Sequence, residues 1–350
     1  MKILITGGAG FLGHHCCEHL LKTTDHELVV LDRIDSSSNL NRLTSLGCWE
    51  SERHRVRVLF HDLKAALPSS LAGQIGPVQQ IWHLAAWSDV ARSIADPVGC
   101  VQDNILGTLN LLEYARGVDG LERVLYCSTD EVFGPKRDGV CGEDDAYRSS
   151  TPYAASKAGG EELAVAYART YKLPVLITHC MNIFGERQHP EKYIPMTIQK
   201  VLHGETVQIH ADLSTVLPGP EHRRAHLVGS RFWIHAREVA SAMQFVMTQG
   251  AIGQKYNIVG EHEQDNLAVA TLIASILEKQ LRYVLVDGAL ARPGHDLRYA
   301  LDGTKLTALG WTPTVQFMDS LARTVRYTVE HPEWLHPMTA HTKEVLCPAH

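Results

Sequence analysis

Residues 6–13 read Thr6-Gly7-Gly8-Ala9-Gly10-Phe11-Leu12-Gly13 and follow directly on the apolar run Ile3-Leu4-Ile5. Gly7, Gly10 and Gly13 form G-x-x-G-x-x-G between a strand-like run and a helix-like one. Glycines there let the backbone turn tightly, approach a pyrophosphate and bring helix onto strand. The anion then sits at a helix N-terminus, where free N–H groups and the helix dipole favour it. This assigns Gly7, Gly10, Phe11, Leu12 and Gly13 to a dinucleotide. A tight turn alone would give the same letters, so the flanks decide. Asp32 closes the second apolar run, 28–31, about 20 residues on, where a ribose-binding carboxylate belongs. It would repel a 2′-phosphate, which favours NAD over NADP, although Arg33 beside it pulls the other way.

Apolar runs at 3–5, 28–31, 56–60, 81–84, 124–127 and 175–178 read as buried strands, and 13–23, 97–116 and 153–171 as helices between them. This alternation implies an α/β fold: a Rossmann-type, doubly wound parallel sheet. After about residue 185 the pattern loosens, with a Gly/Pro/His-rich stretch at 211–229 and a later helix near 267–279. The expected organisation is an NAD-binding domain over 1–185, to which 231–258 returns. A smaller C-terminal lobe over 186–230 and 259–350 would bind substrate. In the first domain, Asp62 and Leu63 after the third strand would flank adenine. Leu84, Ala85 and Ala86 after the fourth would let the dinucleotide lie close to the backbone. Plain strand-end packing explains either group equally well.

The 350 residues carry a net charge of −6, with 45% hydrophobic and 21% charged residues. That is the composition of a globular chain with no basic excess to neutralise nucleic acid. The N-terminal run lacks the h-region of a signal peptide, and no stretch of about 18 apolar residues offers a membrane span. Eight cysteines without a C-x-x-C read as reduced thiols, so a cytoplasmic location is expected. Twenty histidines invite a metal, but His14-His15 and His54/His61 lack ligand spacing and no H-E-x-x-H occurs; no metal is expected.

Tyr153 and Lys157, four apart in Y-A-A-S-K at a helix start, share one helix face. They read as a catalytic pair and as contacts to the cofactor. A phenol is a poor base at neutral pH, and a neighbouring ammonium should lower its pKa. At the end of the fifth apolar run stands Ser128-Thr129-Asp130-Glu131-Val132-Phe133-Gly134.

With T-G-G-A-G-F-L-G, H-L-A-A, S-T-D-E-V-F-G and Y-A-A-S-K in place, the chain resembles the extended short-chain dehydrogenase/reductase family from residue 1 to about 335. Within it the chain is similar to the dTDP-glucose 4,6-dehydratases, the Thr-Asp-Glu run being the discriminating segment. The resemblance implies a lyase that holds NAD tightly and removes water across C5 and C6 of a nucleoside-diphosphate sugar after oxidation at C4, with Tyr153 and Thr129 at the O4 proton, Glu131 at the C5 proton, Asp130 at the departing hydroxyl and Lys157 beside Tyr153. It also implies a homodimer through a four-helix bundle, to which 97–116 and 153–171 are candidates. Substrate contacts fall on Ser88, Asn182, Glu191, Lys192, His210, Arg231, Asn266, Arg292, His295 and Tyr299. Arginine forks match phosphate oxygens, whereas for Asn266 and Tyr299 individually a packing role explains the residue as well. The chain departs from the pattern at Trp87, where glutamate is usual, and at Asp89, where histidine is usual. It departs again at 211–229, a longer basic insertion with His210 in place of an aromatic residue near the nucleobase. Whether the base is thymine or uracil, and which sugar follows, stays open. The rival readings are a nucleotide-sugar epimerase or decarboxylase of the same family, and a non-catalytic dinucleotide sensor.

Overall fold

The computed structural model describes residues 1–217, 225–288 and 297–336. Strands β1 (Lys2–Thr6), β2 (Glu27–Asp32), β3 (Val56–Phe60), β4 (Gln80–His83), β5 (Arg123–Thr129) and β6 (Val175–Cys180) make a parallel sheet, joined at the β6 edge by Lys255–Ile258. The order is β3-β2-β1-β4-β5-β6 and then Lys255–Ile258, so the chain reverses direction across the sheet between β1 and β4. This is the expected Rossmann-type α/β fold.

The apolar runs are continuous because both sheet faces are covered. Successive side chains go to opposite layers: Ile3, Ile5, Leu28 and Val30 enter one core and Leu4, Val29 and Leu31 the other. The first layer is closed by the helices Phe11–Thr23 and Ala236–Gln249, through Cys16, Cys17 and Leu20 against Val239, Met243 and Val246. Its other side holds Gly107–Arg116 and Pro152–Tyr171.

Two elements differ from the sequence reading. The helix expected over 97–116 is divided by a wider π turn at Gln102–Leu106, between Pro97–Val101 and Gly107–Arg116. There the Thr108 hydroxyl donates to the Asn104 carbonyl at 2.6 Å, and the Asp103 and Asn104 side chains both reach the cofactor side of the sheet. The stretch 211–229, read as a loose insertion, begins and ends as strand. Val207–Leu217 pairs antiparallel with Ala225–Val228 and parallel with Tyr283–Asp287, with a register shift between Asp212 and Val216. Its centre, with Pro218-Gly219-Pro220 and His222-Arg223-Arg224, lies outside the described residues.

The helices Tyr193–Leu202, Asn266–Ile276 and Phe317–Glu330 pack around Phe184 and Trp233 as a second core. Thr304–Leu309 and Trp311, expected in the smaller lobe, instead join the first core, with Leu306 packed alongside Tyr256 and Ile258. This short segment thus covers the edge strand, whose apolar face would otherwise be wet.

Candidate active site

A cleft of about 630 Å³ lies along the C-terminal ends of the strands and over the β1/β4 reversal, where doubly wound sheets bind ligands. The glycine loop forms one end. Gly7 has φ +73°, and a Cβ there would stand 2.8 Å from the Ala85 Cα; on Gly13 it would stand 2.1 Å from the Gly7 carbonyl oxygen. The loop is therefore pressed between β4 and its own helix, and only glycine fits. The helix Phe11–Thr23 opens at Gly10 without a side-chain cap and without an acidic residue in its first turn. Its first N–H groups face the cleft, as a pyrophosphate requires.

Asp32 is held by the Ala9 N–H at 3.1 Å and the Ile34 N–H at 3.0 Å, with its carboxylate at the cleft wall. Arg33 is not available to a 2′-phosphate. Its guanidinium donates to both oxygens of Asp103 at 2.6 and 2.7 Å and to Asp35 at 2.8 Å, with Asp62 3.6 Å away. The π turn presents Asp103, so the tension left by Arg33 in the sequence resolves towards NAD. Asp62, Leu63, Leu84, Ala85 and Ala86 line the same end, and Ala85 N–H donates to Thr6 Oγ1 at 3.3 Å. His83, between the Thr6 and Thr108 hydroxyls at 2.8 and 2.9 Å, is pushed down to about 3 by burial and by Lys157, so it serves as a neutral strut.

At the other end, Thr151 caps the helix Pro152–Tyr171 through the Ala154 N–H, and Tyr153 N–H donates to Ser93 Oγ at 3.2 Å. Tyr153 and Lys157 are buried on the face packed against β5. The Lys157 ammonium donates to the Cys127 carbonyl at 2.6 Å and lies 4.4 Å from the Tyr126 ring. The sequence led to the expectation that Lys157 lowers the Tyr153 pKa. The structure differs: the ammonium is turned onto Cys127, and burial together with Glu131 pushes the phenol well up, the Thr129 hydroxyl opposing.

After β5 the chain makes one 3-10 turn, Asp130–Phe133, whose N–H of Glu131 approaches Thr129 Oγ1 at 3.4 Å. That turn sends Thr129, Asp130 and Glu131 into the cleft beside Tyr153. The Thr129 hydroxyl donates to Asp130 Oδ1 at 3.0 Å, while Asp130 Oδ2 is buried without a hydrogen-bond partner among the described residues. Burial pushes the Asp130 carboxyl up to about 6 against the pull of Arg231, so it holds a proton over a range where an ordinary aspartate has none.

Ser88, Asn182, Glu191, Lys192, His210, Arg231 and Asn266 line the middle and far wall. Arg231 is buried, donates to the Ser230 carbonyl at 2.7 Å and to that of Leu297, and lies 4.8 Å from the Tyr299 ring. Tyr299 is 1% exposed and does not line the cleft. Instead of contacting substrate as expected, it backs the arginine, because its ring fills the core behind Arg231. Arg292 and His295 lie outside the described residues.

A family-level sequence profile described as GDP-mannose 4,6 dehydratase matches residues 4–324. The chain belongs to this dehydratase family. It is 35% identical to the dTDP-glucose 4,6-dehydratase of Salmonella typhimurium over 96% of this chain and 94% of that one. Among solved structures it resembles DesIV, a dTDP-glucose 4,6-dehydratase from Streptomyces venezuelae crystallised with NAD, with TM-score 0.84, 36% identity and coverage of 97% and 100%. The UDP-glucose 4-epimerase of Thermus thermophilus, also solved with NAD, gives TM-score 0.81 and 28% identity, covering 95% of this chain and 100% of that one.

Within this dehydratase-family frame, several residues in and beside the cleft had no role assigned from the sequence. Trp87 is fixed by Asn104, which accepts from its N–H at 2.7 Å and donates to its carbonyl at 3.0 Å; Arg92 lies 4.5 Å from its ring. Asp89 caps the short helix Val90–Ala95 and faces Glu191 across the cleft. Burial opposes ionisation of Asp89, but hydrogen bonds from Glu191 and the Arg92 N–H hold it at about 2, while burial and the facing Asp89 push Glu191 up to about 7. Trp87 and Asp89 were visible only as departures. Asp103 and Asn104 gave no signal because a π turn has no sequence period of its own. No group of three or more His, Cys, Asp or Glu among the described residues is arranged to hold a metal ion, and no described helix is long and apolar enough to cross a membrane.

Proposed function

We propose that this chain is an NAD-dependent nucleoside-diphosphate-hexose 4,6-dehydratase, a lyase that converts dTDP-glucose or a UDP-sugar into the 4-keto-6-deoxy form. One observation carries the reading. A buried, proton-holding aspartate with an unfilled oxygen lies next to Thr129 and Glu131, in the same cleft as the Tyr153–Lys157 pair and the glycine loop. The glycine loop, the open helix N-terminus and the bound-up Arg33 fit NAD. When bound, NAD supplies the hydride acceptor at C4, the hydride donor at C6 and a positive ring beside the phenol.

The remaining work falls to the chain's own groups. Tyr153 takes the O4 proton with the Thr129 hydroxyl alongside. With C4 a carbonyl, the C5–H bond is acidified and Glu131 removes its proton. Asp130 gives its proton to the C6 hydroxyl, which leaves as water. A proton returned to C5 completes the product, and Asp130 is reprotonated before the next turn. Arg231 and Lys192 suit the diphosphate, and His210 suits the base.

The division into a dinucleotide domain and a sugar lobe is part of this reading, as are a cytoplasmic location and a homodimer built on the helices of 97–116 and 152–171. Val98 and Val101 stand 66% and 43% exposed there. The epimerase likeness supports the rival reading, which requires no acid between Thr129 and Glu131. Purified protein is assayed with dTDP-glucose, UDP-glucose and UDP-galactose. A product with the alkali-induced absorbance of a 4-keto-6-deoxy sugar supports dehydration. Interconversion of UDP-glucose and UDP-galactose without it supports the rival.

A further inference from the structure

The face of the helix Pro152–Tyr171 that carries Tyr153 and Lys157 carries a third ionisable group one turn on. Glu161 has no solvent-accessible surface and takes no part in the chemistry derived above. Its carboxylate is surrounded by donors from three other parts of the chain. His179 Nε2, from β6, lies 3.0 and 3.1 Å from its two oxygens, and the Lys255 ammonium, from the sheet edge, 3.0 Å from one. The Tyr147 hydroxyl donates to it from the loop before the helix, and itself accepts from Lys255 at 2.5 Å.

The orientation of this cluster follows from its hydrogen bonds. Asn257 Nδ2 donates to the Cys141 and Asp302 carbonyls at 3.2 and 3.0 Å, so its Oδ1 must be the atom that faces His179 Nδ1 at 2.9 Å. The buried ring is thereby pinned between Asn257 and Glu161. Burial opposes ionisation of Glu161, but His179 and Lys255 hold its carboxyl far below the ordinary range. A fixed negative charge thus stands one helical turn from the Lys157 ammonium, close enough to act on it.

Lys157 needs that charge. Burial pulls its ammonium down, and Cys127 followed by Glu161 opposes that pull. Cys127 and the Tyr126 ring face it from β5, Cys180 from β6, Cys100 from the helix Pro97–Val101 and neutral His83 from β4. Among the groups that act most strongly on Lys157, Glu161 is the one carboxylate. We propose that Glu161 is a positioning residue of this active site: its carboxylate, held by His179, Lys255 and Tyr147, keeps the Lys157 ammonium charged and seated on the Cys127 carbonyl beneath the reacting phenol. This rests on the proposed function only for the rate part of its test.

The test follows the Lys157 ε-carbon by NMR in the NAD-loaded protein without substrate, as pH is raised, with the signal assigned by its loss in Lys157→Met. In Glu161→Gln the titration midpoint of Lys157 is expected to fall by about one unit or more. In Lys255→Met, which removes a competing cation from the partly exposed end of the cluster, it is expected to rise. With dTDP-glucose, the alkaline limb of the pH–rate profile for C4 oxidation should follow in the same directions while KM stays near the wild-type value. A Lys157 midpoint unmoved in both variants overturns the proposal, and so does a loss of rate that is uniform across pH. Should Glu161→Gln fail to fold, the sign of the Lys255→Met shift decides alone. Failure of the wild type to turn over any nucleotide sugar would overturn the proposed function and leave the NMR result standing.

Discussion

At the residue scale the account turns on Asp130. A carboxylic acid that must protonate a leaving hydroxyl is useless if fully ionised, and burial gives this one a pKa of about 6. Asp130→Asn keeps the shape and removes the proton. It should slow water loss by roughly 10² to 10⁴, the usual worth of a general acid, while leaving C4 oxidation within about tenfold. Rapid-mixing absorbance of reduced nicotinamide, set against product formation, separates the two steps, and equal losses in both would remove Asp130 from the role. The same group makes a stability prediction. Its folded pKa lies above its unfolded value, so its stabilising contribution is present below pH 4 and is lost as pH rises through about 6. Wild type at pH 8 therefore carries a cost on the order of 1–3 kcal/mol that the asparagine variant escapes. Urea unfolding should find Asp130→Asn the more stable protein at pH 8, with the gap closing towards pH 4. A gap that widens on acidification would contradict the assignment.

At the scale of elements, two local structures define the cofactor site. The glycine loop admits no side chain at Gly7, where positive φ and the Ala85 backbone at 2.8 Å act together. Gly7→Ala should cost about 1–3 kcal/mol in strain and displacement. It should also empty the protein of NAD, which the cofactor released on denaturation would measure. The π turn at Gln102–Leu106 aims Asp103 at Arg33. Asp103→Asn loosens that guanidinium and should narrow the preference for NAD over NADP by about tenfold; binding of the two cofactors to apoprotein reads it directly. These elements were unequally legible. The glycine loop was plain because its physical demand, no Cβ, maps onto a single residue type. The six strands were plain because two-sided burial leaves uninterrupted apolar runs such as Leu28-Val29-Val30-Leu31. The π turn was not, since its residues fit an ordinary helix and only the pull of Arg33 and Trp87 makes the wider turn worthwhile. Tyr299 stayed ambiguous for a related reason: an aromatic behind an arginine and an aromatic on a ligand look alike in sequence.

At the scale of the whole molecule, the sheet sets the geometry, and in the proposed reading the smaller lobe sets the choice of substrate. The five catalytic candidates come from β5, its 3-10 turn and one helix, so their convergence follows from a single crossover beside the chain reversal. The groups proposed to face base and sugar line the cleft from separated segments: Ser88, Glu191, His210 and Asn266. No local pattern encodes such a set, which is why the chemistry was legible and the identity of the sugar was not. The exposed apolar residues on 97–116 make a prediction of their own. Sedimentation should find twice the 38.8 kDa chain mass, and Val98→Glu with Val101→Glu should return it to the single chain; an unchanged dimer would place the interface elsewhere.

The central claim is that one bound cofactor and one set of side chains carry a hydride from C4 to C6 while water leaves between them. The direct measurement is the fate of deuterium placed at C4 of dTDP-glucose, followed by NMR of the product. The account predicts a 4-keto-6-deoxy sugar with the deuterium on its C6 methyl group. Deuterium found at C4 of an epimerised sugar would contradict it.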